Sequence, residues 1–274
     1  MKAISLASGS KGNSYLIFTD KTKILVDLGI NETELLNKLN ILKVNPSDID
    51  AIFITHEHDD HIKGLQTFLK RYNPKIYVHK DSASLVDKKL KGGLKNEIVF
   101  YNNDTFTLND LFIENYEQSH DSKHCCGYSI SNNDAKVSIS TDLGFCPKEV
   151  TNHLNYSNLV YLEANHDVNL LLDNPNYPSF LKQRILSNKG HLSNKASEEV
   201  IESLAYNKVS QVVLSHLSEE NNSPSLAYNY IKNGLKEKDI IEGQNIFIDV
   251  ATQYKLGTLF NITKKENNLW QKKK

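Results

Sequence analysis

Ala51-Ile52-Phe53-Ile54-Thr55-His56-Glu57-His58-Asp59-Asp60-His61 runs from an apolar segment straight into a loop carrying three histidines and three carboxylates. Residues 51–55 read as a buried strand. His56 and His58 are two apart, so in an extended chain their side chains share one side. Asp60 and His61 follow across a turn, and Gly64 lets the chain leave closely. Such a cluster can bring nitrogen and oxygen donors to about 2.0–2.2 Å from Zn2+ or a similar ion. A merely solvated loop gives no reason for this concentration directly after a buried strand. The helical H-E-x-x-H signature is excluded, because it needs a second histidine at position 60, where Asp60 stands.

Outward from this loop, the N-terminal side reads as strands at 3–7, 15–19 and 23–28, with the turn-rich Ser8-Gly-Ser-Lys-Gly-Asn-Ser14 between the first two. Leucine or isoleucine at 35, 36, 39 and 42 gives a helical stripe over 32–42, capped by Asn31. On the C-terminal side helical spacing resumes at 62–72, followed by a strand at 75–79, a helix at 82–90 and strands at 98–101 and 111–117. Segments 128–131 and 136–141 form a hairpin across Asn132-Asn133-Asp134. A helix near 147–154 precedes a strand at 159–163; helices at 178–186 and 195–205 precede a strand at 211–215. A helix at 225–235 and strands at 246–250 and 254–262 complete the pattern. This order suits two packed sheets with helices outside, an α/β (α+β) four-layer αββα sandwich formed by residues 1–262 as one domain.

Lys+Arg 32 against Asp+Glu 33, 24% charged and 39% hydrophobic, is globular composition and excludes a disordered chain. No apolar run reaches the roughly 18 residues of a membrane span, and Lys11 interrupts the N-terminal run too early for a signal peptide. The expectation is a soluble cytoplasmic protein with no membrane partner. Three cysteines, Cys125, Cys126 and Cys146, form no disulfide framework and read as small core residues. Arg71 and Arg184 are the only arginines, which reads as a bias toward A/T-rich codons. Six lysines and one glutamate lie between Gln253 and Lys274, leaving −6 on the remainder. Residues 263–274 are therefore set apart as a basic tail, either a solvated end or a nucleic-acid-facing one.

Further polar residues stand where strands end: Ser119-His120-Asp121, Ser140-Thr141-Asp142-Leu-Gly144 and Leu214-Ser215-His216. Ligands at strand ends are rigidly held, as a metal site requires. Ser193 and Asn194 precede a helix whose backbone N–H groups favour phosphate, and Ser10 and Asn13 in the first turn can line the same cleft.

H-x-H-x-D-H after a buried strand, followed by His, Asp and His at later strand ends, resembles the metallo-β-lactamase-fold superfamily. Leu6-Ala-Ser-Gly-Ser-Lys-Gly-Asn-Ser14, Leu162-Glu-Ala-Asn-His-Asp167, Gly190-His-Leu-Ser-Asn194 and Ser215-His-Leu-Ser-Glu-Glu-Asn-Asn222 resemble more closely its YycJ/WalJ (VicX) family, related to tRNase Z and PhnP-type phosphodiesterases. The resemblance runs from residue 3 to about 250. It implies two divalent metal ions, Zn2+ or Mn2+, one held by His56, His58 and His120 and the other by Asp60, His61 and His216, with Asp142 bridging. His124 is a rival for His120. Asp27 supports the histidine loop and need not touch metal, and His79 and His153 read as ordinary surface or strand residues. By likeness to tRNase Z, His191 held by Glu163 is the general acid, with His166 and Asp167 a possible second pair.

The activity so implied is hydrolysis of phosphodiesters in nucleic acid, with Asp60 orienting the attacking water, most nearly as a DNA exonuclease working from the 5′ end. The alternatives left open are a cyclic or other small-molecule phosphodiesterase, a thiolester or β-lactam hydrolase on the same fold, and a regulatory binding protein with a vestigial site. Oligomeric state is not legible.

Overall fold

The computed structural model describes residues 1–133 and 135–263. Asp134 and the basic tail from residue 264 onward lie outside them. The first sheet is formed by β1 (Lys2–Ala7), β2 (Ser14–Phe18), β3 (Lys23–Val26), β4 (Ala51–Phe53), β5 (Lys75–His79) and β6 (Glu97–Phe100), with β14 (Phe260–Asn261) beside β1. From β14 to β3 neighbours are antiparallel; from β3 to β6 they are parallel. The second sheet contains β7 (Thr105–Leu108), β8 (Leu111–Gln118), β9 (Cys125–Ser131), β10 (Lys136–Ser140), β11 (Leu159–Glu163), β12 (Gln211–Ser215) and β13 (Phe247–Val250) in sequence order across the sheet. It is antiparallel up to β10 and parallel beyond.

The strands read as nearly continuous apolar runs because both faces of each sheet are covered. On β2, Tyr15 and Ile17 enter the layer between the sheets, whereas Leu16 faces the helices. On β11, Leu159 and Tyr161 face inward while Val160 and Leu162 face outward. Tyr15 and Tyr161 meet across the sandwich with ring centroids 4.9 Å apart. Over the first sheet lie α1 (Glu32–Ile41), α2 (Asp59–Ile62), α3 (Leu65–Phe68) and α4 (Lys80–Lys89). On the side of the second are α5 (Lys148–Leu154), α6 (Val168–Asp173), α7 (Ser179–Leu186), α8 (Asn194–Tyr206) and α9 (Pro224–Glu237). The result is the four-layer αββα sandwich. Among the described residues, no helix is long and apolar enough to cross a membrane.

Several local expectations change. The helix expected over 62–72 is two short pieces, α2 and α3, interrupted at Lys63-Gly64. Gly64 donates to the Leu28 carbonyl, and a Cβ there would strike the Ile30 carbonyl, so contact with the preceding loop overrides helical continuity. β7, α6 and a 3₁₀ turn at Pro46–Asp48 are additions. Of the strand expected at 254–262 only Phe260–Asn261 pairs, with Lys2 and Ala3; Gly257 instead donates to the Ser5 carbonyl. The hairpin of β9 and β10 forms in the expected place, Ser131 opposite Lys136.

Candidate metal centre

Open α/β sheets place their functional side chains beyond the carboxyl ends of parallel strands, and here both sheets present those ends to one edge. Asp27 follows β3, His56–His61 follow β4, Asp142 follows β10, Glu163 ends β11 and His216 follows β12. His120 joins them after β8. Asp27, Asp142 and His216 adopt positive φ of 61°, 62° and 57°, turning their side chains out of the strand direction at a cost of about 1–2 kcal/mol each. Close packing of three loops needs Gly29, where any Cβ would collide with the Asp60 carbonyl.

Buried Asp27 organises the histidine loop. Its Oδ1 accepts from the Thr55 backbone N–H at 2.8 Å and its Oδ2 from the Thr55 hydroxyl at 2.8 Å. Oδ2 also lies 2.7 Å from His61 Nδ1, which places the proton there and turns His61 Nε2 inward. His120 Nδ1 is likewise 3.2 Å from the Gly190 carbonyl, His216 Nδ1 2.9 Å from Glu163 Oε1, and His56 Nδ1 3.0 Å from the Thr55 hydroxyl. Each of these imidazoles is anchored through Nδ1, leaving Nε2 for the centre.

Donor atoms of His56, His58 and His120 lie within 4.8 Å of one another, as do those of Asp60, His61 and His216. Asp142 stands between the groups: Oδ2 is 3.1 Å from His61 Nε2, and Oδ1 is 3.4 Å from His216 Nε2 and 3.7 Å from His120 Nε2. His56 Nε2 and Asp142 Oδ2 are buried without a hydrogen-bond partner among the described residues. Such atoms are costly unless something meets them, and imidazole with carboxylate is a donor set suited to a divalent cation. The residues therefore fit a metal.

Electrostatics carry the same demand for positive charge. Burial opposes charge on His216, yet Asp142 and the bonds to Asp60 and Glu163 outweigh it and push its pKa up to about 10. Burial is likewise outweighed at His61 by Asp142, Asp60 and Asp27, and its pKa rises. Burial and the neighbouring His61 push that of His56 down. A cation among these groups satisfies the carboxylates while leaving the imidazoles neutral.

Glu163 bridges two histidines. Its Oε1 is 2.7 Å from His191 Nδ1 as well as 2.9 Å from His216 Nδ1, and its Oε2 accepts from the backbone of Leu143 and Leu192. Burial opposes its ionisation, but His191 first and His216 after it hold the pKa down at about 2. The same contact raises that of His191 against burial. Thus Glu163 is engaged on every side, as an anchor for both rings.

Other expectations fare differently. His166 and Asp167 form no pair: the Asp167 carboxylate caps α6 at Leu170, while both ring nitrogens of buried His166 lack hydrogen-bond partners among the described residues. Asn13 is buried beneath the loop, 3.4 Å from Asp60 Oδ2 and 3.2 Å from His61 Nε2, and bonds to Gly9 in both directions. Asn194 is buried in reciprocal bonds with Asn222. Both amides are structural ties, out of reach of a substrate. Ser193 caps α8 through Ala196, and Ser10 is exposed. His124 points away and stacks on His79, ring centroids 3.5 Å apart and planes 18° apart. With Asp81 they form a second donor cluster, in which His79 Nδ1 accepts from the Asp81 backbone N–H at 3.2 Å. Cys125 and Cys126 are buried, Cys125 Sγ lying 3.8 Å from His56 Nδ1; Cys146 is half-buried. Sequence reasoning quoted Thr55 and Asp121 within their motifs but gave neither a role: Thr55 braces the loop on Asp27, and Asp121 Oδ1 is 3.2 Å from His120 Nε2.

The sequence pattern of the metallo-beta-lactamase superfamily matches residues 7–165. The exodeoxyribonuclease WalJ of Streptococcus pneumoniae is 34% identical over 238 residues, covering 86% of this chain and 88% of that protein. The chain belongs to the metallo-beta-lactamase superfamily and, within it, to the WalJ/YycJ family. Another member, the exodeoxyribonuclease YycJ of Bacillus anthracis, is 33% identical over 243 residues, 87% of this chain and 90% of that protein. Beyond the WalJ/YycJ family the fold is shared with Zn2+-bound PqqB from Methylobacterium extorquens, at a TM-score of 0.73 and 13% identity over 96% of this chain and 100% of that one.

Proposed function

We propose that this WalJ/YycJ-family chain is a metal-dependent phosphodiesterase acting as a 5′-to-3′ DNA exonuclease, with two divalent cations, Zn2+ or Mn2+. The proposed ligands are His56, His58 and His120 for one cation, Asp60, His61 and His216 for the other, and Asp142 for both. The carrying observation is that Asp142 lies 3.1–3.7 Å from histidines of both donor triads, with His56 Nε2 and Asp142 Oδ2 buried without hydrogen bonds among the described residues. The names of the relatives supply the substrate, DNA, and the exonucleolytic mode.

Cations held there would supply Lewis acidity to phosphate oxygens and lower the pKa of a water toward neutrality. The protein's part is positioning and proton transfer. Asp60, its side chain 25% exposed where Asp142 is 3% exposed, is the carboxylate open to solvent, able to orient a water and accept its proton. His191 is fixed through Nδ1 by Glu163, which favours its protonated form and leaves Nε2 to protonate the departing oxygen. A thiolester, whose thiolate leaves without a proton, has no use for so strongly supported an acid.

The test is time-resolved product analysis on a 5′-phosphorylated, end-labelled linear duplex with Mn2+ or Zn2+. Mononucleotides leaving first from the 5′ end, and no hydrolysis of DNA or bis-p-nitrophenyl phosphate by Asp60→Ala or His61→Ala, are expected. Hydrolysis surviving both substitutions would contradict the mechanism; release from the 3′ end first would reverse the polarity.

A further inference from the structure

We propose that the outward face of α7, carrying Phe180 and Arg184, is the surface that receives an unpaired DNA strand leading into the metal centre; this rests on the nuclease reading above. Residues four apart share a helix face, and four residues rise about 6 Å. Phe180 is 73% exposed, the Arg184 side chain 54%, and α7 buries no residue fully. Leu181 and Ile185, about 100° further round the helix, are half-buried, so the aromatic and guanidinium stand on its solvent side, with Gln183 and Leu186 also exposed.

The face is welded to the site. His191 N–H donates to the Ile185 carbonyl at 3.0 Å and Gly190 N–H to that of Ser187 at 2.8 Å. The Ser119 hydroxyl donates to the Asn188 carbonyl at 2.7 Å, and a Cβ at Gly144 would strike the Asn188 backbone. Arg184 Nε donates to Asp121 Oδ2, and Asp121 Oδ1 lies 3.2 Å from His120 Nε2. One carboxylate thus stands between the guanidinium and a proposed ligand.

Residue choice supports the occupant. Almost every cation of this chain is lysine, with arginine at 71 and 184 alone. Arginine's rigid fork binds a carboxylate through one edge and can present its remaining N–H groups to a phosphate; lysine offers only a point charge. An exposed ring one turn away, with exposed Lys189 close in sequence, is the pairing by which proteins hold single strands, bases stacked on the aromatic and phosphates on the cations. Stacking needs a base with a free face, so the strand presented here is unpaired: a frayed or resected end.

The experiment compares the wild-type chain with Phe180→Ala, Phe180→Trp, Arg184→Lys and the distant control Tyr206→Ala, using a 5′-phosphorylated single-stranded oligonucleotide and bis-p-nitrophenyl phosphate with Mn2+. Phe180→Ala raises the oligonucleotide KM about tenfold, within the range for loss of one stacking contact, and lowers the oligonucleotide-to-ester efficiency ratio in step. Phe180→Trp restores both, Arg184→Lys raises KM about fivefold, and Tyr206→Ala changes neither. A wild type that digests the oligonucleotide, with KM unmoved in Phe180→Ala and Arg184→Lys, overturns the inference alone. So does a sedimentation shift from dimer to monomer in Phe180→Ala at unchanged KM, which assigns the face to a second copy. A wild type that hydrolyses the ester but no nucleic acid overturns the nuclease reading, and the inference with it.

Discussion

The first sheet delivers four of the converging side chains from one stretch, His56 to His61, whereas the second delivers one per strand end: His120, Asp142, Glu163 and His216. In the first case an extended segment followed by a helical turn suffices, with buried Asp27 and Thr55 as its brace. In the second, each residue is aimed separately. Asp142 and His216 sit in left-handed backbone, held by Leu143 N–H on Glu163 and by His216 N–H on the Ser8 hydroxyl at 2.8 Å. The second half of the site therefore depends on tertiary packing at every residue, and the first half mainly on its own loop.

That contrast is broken most severely by removing the shared carboxylate. Asp142→Ala is expected to lower hydrolysis of both DNA and bis-p-nitrophenyl phosphate by about a thousandfold, the upper range for loss of one preorganised electrostatic group, with circular dichroism unchanged. Retained activity would show that the two triads work independently.

His191→Ala sharpens it next. Loss of a general acid costs about 10²–10⁴, so DNA hydrolysis falls by that factor. The nitrophenyl ester, whose leaving group needs no proton, loses less than about tenfold on the same principle. Equal losses on both substrates would remove the acid role.

Proton release on metal binding is a smaller effect with a definite sign. His216, raised to about 10 by Asp142, Asp60 and Glu163 against burial, holds a proton in the metal-free chain at neutral pH, and a cation must displace it. Metal affinity then falls as pH falls, about tenfold per pH unit for each proton displaced. Calorimetry in two buffers of different ionisation enthalpy reads that release directly, and buffer-independent heats would contradict it.

Smallest is the effect of ending the chain after Thr263. Loss of the lysines beyond it is expected to weaken DNA binding modestly and flatten its salt dependence. An unaltered salt slope would leave those lysines a solubility role.

Legibility in sequence follows the same division. The αββα order and the histidine loop could be read because a buried apolar strand ending in a dense polar motif is a local signal. His120, Asp142 and His216 were marked as strand ends, but only likeness to a family joined them, since their meeting is set by packing between sheets. α6 escaped because six residues, Val168–Asp173, are too few to show a helical period, although Asp167 at its cap was a usable sign. The His166–Asp167 pair failed for that reason: the carboxylate belongs to the helix start. The scarcity of arginine reads as codon bias, and Arg184 gains a role only through Asp121 beside it in the fold.

The most direct test of the central claim is metal content by plasma mass spectrometry, on full-length chain loaded with Zn2+ or Mn2+ and desalted. Two ions per chain are expected in the wild type, and fewer in both His58→Ala and His216→Ala, one change from each triad. A single ion per chain at saturating metal, or full occupancy in both variants, would contradict the two-cation centre.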